Sequence, residues 1–167
     1  MIKAGDLVYQ EKTMVNGINC KDNKNNRLSV VLFSFFNNDT EYICSCPITN
    51  HVINFRKVDP NFLYIPYQIL SDKKLCAVKL DSAFIYPINE ISETGLSLNN
   101  KVLLKLYDAI LNLDNNYNID HYRFIKDNLR SLSNEIEFEE KAKLKEEIKL
   151  RKQLRKERKR NYKKCHE

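Results

Sequence analysis

The spacing of apolar residues changes near residue 99, from short runs typical of β-strands to the three-to-four-residue recurrence typical of helices. The earlier runs are rich in β-branched and aromatic residues and are bounded by turn-forming residues. They comprise residues 6–10, 27–36, 40–46, 63–69 and 75–88, the last as one long strand or a bent pair. Short strands with brief connections predict a small barrel or a strongly bent sheet.

Turn signals separate the predicted strands. Asn16-Gly17 favours a two-residue hairpin turn, and the Asn-Asn-Asp stretch 37–39 predicts a second turn. Pro47 has no backbone N–H, and it is therefore predicted to end the strand that precedes it. The segment that follows reads Ile-Thr-Asn-His. It is either an ordinary turn or a place where Thr49 directs its hydroxyl into a site.

The second part of the chain is predicted to be helical. Apolar residues recur at helical spacing over residues 100–113, with Asn99 or Asn100 as the N-cap. Residues 119–132 predict a second, shorter helix, and residues 134–164 predict a third, long one. Apolar positions in the long helix are too sparse to form a coiled-coil seam.

Positive charge is concentrated near the C-terminal end of the sequence. The 167 residues carry a net charge of +6, yet residues 141–164 alone hold thirteen Lys or Arg against three Glu. The rest of the chain is therefore mildly acidic. A dense row of cationic side chains predicts sequence-independent contacts between this tail and nucleic acid. The alternative is a solvated helix with Glu–Lys pairs on adjacent turns.

Cysteine and histidine usage argues against a metal site. The five cysteines include no Cys-x-x-Cys pair, and the three histidines do not lie at ligand spacing. Buried, reduced thiols are expected instead, as is typical of a reducing cytosol. The N-terminal residues do not resemble a secretion signal, and no apolar run reaches the roughly 18 residues of a membrane span. The sequence therefore predicts a cytoplasmic protein without membrane contact.

Three ordered segments resemble the MazF/PemK toxins. Residues 4–9 (AGDLVY) resemble the Gly-Asp-x-Val opening strand of that family, and residues 26–34 (NRLSVVLFS) resemble its Arg-Pro-x-x-Val strand. Residues 44–50 (CSCPITN) resemble its Pro-[Ile/Leu]-Thr-Ser signature. Residues 77–82 (AVKLDS) fall where the family has a strand that ends in an Asp-containing turn. The resemblance covers residues 3–113.

The resemblance implies a mainly β, α+β fold: an SH3-like small barrel with a packed helix, usually a homodimer. On this basis residues 1–113 are predicted to form the barrel domain, and residues 114–167 a helical, basic C-terminal extension. The family's members are endoribonucleases that cut single-stranded RNA, including mRNA, without a metal or other cofactor. A cognate antitoxin neutralises them.

By position, the resemblance assigns catalytic roles to Arg27, Thr49 and Asp81. Attack by the 2′-hydroxyl of RNA on the adjacent phosphate builds negative charge, which a guanidinium fork can stabilise through two oxygens. A threonine hydroxyl can donate to a non-bridging oxygen and hold the phosphate in line. Asp81 or His51 would take the proton from the 2′-hydroxyl.

Four residues are predicted to bind RNA around these groups: Lys24, Asn50, His51 and Lys79. Leu28 and Asn50 stand where the family motifs have proline and serine. This difference leaves an alternative open, in which the same barrel carries a degenerate site and acts as a non-catalytic RNA- or protein-binding module.

Overall fold

The computed structural model describes residues 2–10, 14–15, 18–19, 27–49, 60–65, 76–114 and 118–164. Within these ranges the chain is α+β, with antiparallel strands followed by two α-helices. The strands are β1 Asp6–Gln10, β2 Met14–Val15, β3 Ile18–Asn19, β4 Arg27–Asn37, β5 Thr40–Thr49, β6 Phe62–Ile65, β7 Cys76–Lys79, β8 Phe84–Pro87 and β9 Ile91–Ser97. A 3-10 turn, Ile88–Glu90, precedes β9, and the helices are α1 Asn100–Leu111 and α2 Ile119–Lys164.

Seven strands form one sheet in the order β6-β7-β5-β4-β1-β9, with β8 also paired to β5. Every described pairing in it is antiparallel. β5 has β4 along one edge, while its other edge pairs first with β8 at Tyr42–Ser45 and then with β7 at Ile48–Thr49. Within the described ranges the end strands β6 and β9 do not pair with each other, so the sheet is open there.

The prediction that Pro47 ends a strand is wrong, because β5 continues through it to Thr49. Pro47 is the register partner of Ser29 on β4. On its other side it lies between the stretch of β5 that pairs with β8 and the stretch that pairs with β7. A proline is tolerated at such a break in the ladder, since its missing N–H has no partner strand to serve.

Both predicted hairpins are present. Asn38 and Asp39 connect β4 to β5 with φ angles of 46° and 62°, a conformation that asparagine and aspartate adopt more readily than most residues. Val15 pairs with Ile18 in the β2–β3 hairpin, and the two residues between them lie outside the described part. β9 was not predicted because its sequence, ISETGLS, is mostly polar and exposed.

The two faces of the sheet carry different cores. On one face Ile2, Val8, Val31 and Ile43 form a buried apolar cluster, against which Ile88 and Ile91 pack. The helices contribute to the other side: the Tyr107 hydroxyl on α1 donates to the Leu32 carbonyl, and the Phe124 ring on α2 contacts Phe33 and Phe35. The predicted buried thiols are confirmed for Cys44, Cys46 and Cys76.

Helix α1 begins as predicted. Asn99 is its N-cap, and the side-chain oxygen accepts a hydrogen bond of 3.0 Å from the backbone N–H of Val102. The predicted division of the following region into two helices is wrong, because α2 is continuous over 46 residues. No glycine or proline occurs in that segment, and polar residues alone do not break a helix.

The chain divides after Arg130 into two compact units, so α2 contributes to both. Its first part is held in the first unit by the Tyr122 hydroxyl, which donates to the Leu80 carbonyl at 2.9 Å and accepts from the Ala83 N–H at 3.1 Å. A division after residue 113 stays a prediction. Among the described helices, none has the length and apolar character required to cross a membrane.

Candidate functional site

Arg27 and Thr49 lie at neighbouring ends of the two central strands, β4 and β5. Arg27 is the exposed first residue of β4, and Thr49 is the half-buried last residue of β5. Ser29 is the partner of Pro47 and Val31 is the partner of Ser45. The same register, extended by two residues, sets Arg27 opposite Thr49, and the alternation of side chains along strands assigns both to one face of the sheet.

Lys79 lies on the same face of the sheet, on β7, the strand that pairs with β5 at Thr49. Thr49 is the partner of Ala77 on β7, and Lys79 follows Ala77 by two residues. The Lys79 ammonium lies 3.9 Å from a carboxylate oxygen of Asp81, and both side chains are partly exposed. Lys79 therefore adds a second cation to the face that carries Arg27 and Thr49.

The described contacts of Asp81 do not bring it to Arg27. It lies in the turn after β7, where it accepts a hydrogen bond of 3.1 Å from the Ser82 hydroxyl. Burial raises the pKa of the Cys46 thiol, and the charges of Cys44 and Asp81 raise it further. The charge of Asp81 thus acts on the buried thiol of Cys46. The role of Asp81 as a general base stays a prediction.

Three of the predicted RNA-binding residues lie outside the described part of the chain: Lys24, Asn50 and His51.

A set of buried polar side chains, not anticipated from the sequence, lies beside Arg27. The buried polar cluster consists of Gln10, Ser29, Ser45 and Tyr86, with exposed fractions of 2%, 0%, 0% and 8%. Gln10 is the register partner of Arg27 on β1, and Ser29 follows Arg27 by two residues. The Gln10 side-chain amide donates to the Ser45 hydroxyl at 2.6 Å. Tyr86 on β8 is the register partner of Ile43, which precedes Ser45 by two residues. Ser45 is the partner of Val31 on β4, so all four share the face that carries Arg27.

The buried polar cluster is incompletely satisfied. Within the described residues, the Gln10 carboxamide oxygen and the hydroxyls of Ser29 and Tyr86 have no hydrogen-bond partner. A buried polar atom without a partner costs about 1–3 kcal/mol. Native proteins accept that cost chiefly where such groups bind water or a ligand or take part in function. The cluster therefore marks this end of the sheet as a candidate binding site.

The electrostatics of the cluster link it to Arg27. Burial raises the pKa of the Tyr86 phenol above its ordinary value of 10.0, and Glu90 raises it further, while Arg27 lowers it. The phenol is therefore neutral at physiological pH and remains a hydrogen-bond donor. Arg27 supplies positive charge close enough to act on that hydroxyl.

These side chains together suit an oxygen-rich anion. A guanidinium offers paired donors that match two phosphate or carboxylate oxygens, and neighbouring hydroxyls add neutral donors. No group of three or more His, Cys, Asp or Glu side chains able to hold a metal ion occurs among the described residues.

Neither models of known protein families nor curated protein sequences match this chain.

Replacing Tyr86 with phenylalanine is expected to leave the free energy of unfolding unchanged or to raise it by about 1 kcal/mol. The substitution removes a buried hydroxyl that lacks a partner within the described residues. Tyr122→Phe is the matched control, because its hydroxyl makes two hydrogen bonds, and it is expected to lose about 1–3 kcal/mol. Urea denaturation of both variants measures the difference. Equal destabilisation by the two changes would mean that Tyr86 has a partner in the folded protein.

Proposed function

We propose that this protein is a metal-independent endoribonuclease of the MazF/PemK toxin type that cuts single-stranded RNA. The single observation that carries the proposal is the register of β4 and β5. Its last described pair at this end is Ser29 and Pro47, and the same register extended by two residues sets Arg27 opposite Thr49 on one sheet face. These are the two positions that the resemblance assigns to catalysis. The distance between them along the chain makes their adjacency informative.

The proposal includes the SH3-like barrel of that family. Its support is an antiparallel sheet in which β5 pairs with three strands, β4, β8 and β7. A strand that changes its outer partner along its length is typical of sheets that curl toward closure. The packed helix α1 follows the last strand, in the order that the resemblance implies.

The reaction is a transesterification within the RNA. The 2′-oxygen attacks the adjacent phosphorus and forms a 2′,3′-cyclic phosphate, and the bond from phosphorus to the 5′-oxygen breaks. The leaving 5′-oxygen takes up a proton. Arg27 binds two oxygens of the phosphate and stabilises the charge that develops on them, because its guanidinium stays protonated and planar.

Thr49 would orient the same phosphate, and the buried polar cluster would orient Arg27. The Thr49 hydroxyl donates to a non-bridging oxygen, which holds the phosphorus in line with the attacking 2′-oxygen. The Gln10 oxygen and the Ser29 hydroxyl lie beside Arg27 without described partners, and they are available to orient its guanidinium. Asp81 or His51 takes the 2′-hydroxyl proton in this scheme. Lys24, Asn50 and Lys79 hold the flanking nucleotides.

The biological setting follows from the family type. The protein would act on mRNA in the cytoplasm as a homodimer, and a cognate antitoxin would neutralise it.

The test is the incubation of a long single-stranded RNA with the protein in the presence of EDTA. We expect cleavage that leaves 2′,3′-cyclic phosphate and 5′-hydroxyl ends, because the nucleophile is the RNA itself. The matched substrate carries a 2′-deoxy residue at the cleaved position and should stay intact. Loss of cutting in EDTA with recovery in Mg²⁺ would contradict the metal-independent mechanism.

The second candidate is a non-catalytic binding module on the same sheet. It is favoured by Leu28 and Asn50, which replace the proline and serine of the family motifs. Binding of RNA without cleavage under every condition of the same assay would identify this function and exclude the enzyme.

A further inference from the structure

Among the side chains of distal α2 that the structure describes, through residue 158, four lysines form a row on one side. Lys145, Lys149, Lys152 and Lys156 are spaced by four, three and four residues, which puts neighbouring side chains on one helix face. We call this row the lysine stripe. It extends about 17 Å along the helix axis at 1.5 Å per residue. Every described side chain of α2 from residue 137 through residue 158 is exposed.

The charge of the lysine stripe is not neutralised by its own helix. The ion pairs in this part of α2 join Lys141 to Glu137 at 3.1 Å, Lys143 to Glu140 at 3.3 Å and Arg151 to Glu147 at 3.9 Å. As far as the chain is described, no stripe lysine takes part in an ion pair. These glutamates therefore pair with cations outside the stripe, and the stripe remains a continuous positive face.

The apolar residues of the same segment do not form a face. Leu144 and Ile148 make one pair at i, i+4, and Leu150 and Leu154 make another, which lies about 120° further around the helix. A helix that lies on a lipid surface needs a continuous apolar face, and a partner helix needs an a/d seam. Neither is present beside the lysines.

We propose that the lysine stripe binds the phosphodiester backbone of single-stranded RNA without regard to base sequence. A row of flexible ammonium groups complements successive phosphates and releases their counterions, and the stripe itself has no planar or aromatic group to read bases. The choice of RNA over another polyanion rests on the proposed function. The binding itself does not require that the protein cut RNA.

The experiment measures binding of the full chain to a fluorescent 2′-O-methyl oligouridine, which cannot be cleaved by 2′-attack. The stripe variant carries Lys145→Gln, Lys149→Gln, Lys152→Gln and Lys156→Gln. The control variant removes the same charge off the stripe with Lys143→Gln, Arg151→Gln, Arg155→Gln and Arg158→Gln. Glutamine keeps good helix propensity at these exposed positions.

We expect the stripe variant to weaken binding by about tenfold or more at low salt, and the control variant to change it by about threefold or less. The slope of log K against log salt should become shallower by about 3 in the stripe variant, at roughly 0.7 for each lost phosphate contact. Equal weakening by both variants would mean that net charge, and not the position of the lysine stripe, determines RNA binding, and it would overturn the proposal. Tighter binding to vesicles containing phosphatidylserine than to the RNA, lost in the stripe variant, would assign the stripe to lipid instead.

Because the probe strand cannot be cut, failure of the binding experiment is distinguishable from failure of the proposed nuclease. If the wild type cleaves RNA in EDTA while both variants bind the probe equally, the proposed function would stand and the proposed binding by the lysine stripe would be wrong.

Discussion

Arg27→Ala is expected to lower the rate of RNA cleavage by about 100- to 1000-fold, the loss typical of removing one preorganised donor to developing negative charge. Arg27 starts β4, where it is the register partner of Gln10 on β1, and the β4–β5 register extended by two residues sets it opposite Thr49. No other described cation lies at that position, and Lys79 is two strands away across β5. The loss should appear in the rate constant rather than in KM, because the phosphate gains charge only in the transition state.

Two further substitutions separate the roles of charge and shape at this position. Arg27→Lys keeps a positive charge but loses the planar fork, so it should recover only part of the rate. Arg123→Ala is the matched control, because Arg123 is exposed on α2 and paired with Asp120 at 3.4 Å. It should cleave at the wild-type rate. Wild-type cleavage by Arg27→Ala would remove the guanidinium from the mechanism.

The stability of Arg27→Ala should stay close to that of the wild type. Arg27 is exposed, and surface substitutions usually change the free energy of unfolding by about 0.5 kcal/mol or less. Urea denaturation therefore shows whether lost activity reflects lost chemistry or lost folding.

Elements with strong local signals could be predicted from the sequence. The β4–β5 hairpin has two β-rich runs around an asparagine- and aspartate-containing turn, and α1 has a clear helical period after the Asn99 cap. Such signals act within a few residues and need no partner from elsewhere in the chain. β9 lacks them, because its polar residues owe their extended form to pairing with β1.

The two wrong predictions share a physical cause. Residue type alone predicts a strand end at Pro47 and a break between the helices at residues 119–132 and 134–164. Whether a proline interrupts a strand depends on whether a neighbour needs its N–H, and β5 changes partners at that point. Whether polar residues end a helix depends on the competing caps, and α2 continues past them.

The candidate site could be predicted only in part. Arg27 and Thr49 are predicted only through the ordered motifs, since no local pattern reveals the register between distant strands, and their catalytic role stays a prediction. The buried polar cluster was missed because each member looks ordinary alone: Gln10 resembles an exposed strand residue, and Tyr86 resembles a core aromatic. Their relation appears only after β1, β4, β5 and β8 are assembled.

Tyr107→Ala is expected to lower the free energy of unfolding by about 3–5 kcal/mol, the cost typical of removing a buried aromatic ring. Tyr107 is fully buried and ranks first by volume among the described side chains that are fully buried. Its hydroxyl donates to the carbonyl of Leu32, which lies in the β4–β5 irregularity between Val31 and Phe33. A bulge leaves one residue without a cross-strand partner, and the Tyr107 hydroxyl supplies a hydrogen bond to the carbonyl of that residue, Leu32.

The loss has two parts that a second variant separates. Tyr107→Phe keeps the ring and removes only the hydroxyl, so it should cost about 1–3 kcal/mol, the penalty for a buried carbonyl that loses its donor. Tyr9→Ala is the control for the ring itself, because Tyr9 is 41% exposed on β1, and it should cost about 1 kcal/mol or less. Urea denaturation gives all three values. A Tyr107→Ala variant as stable as Tyr9→Ala would contradict the packing of α1 on β4, and with it the support that α1 gives to the strand that begins at Arg27.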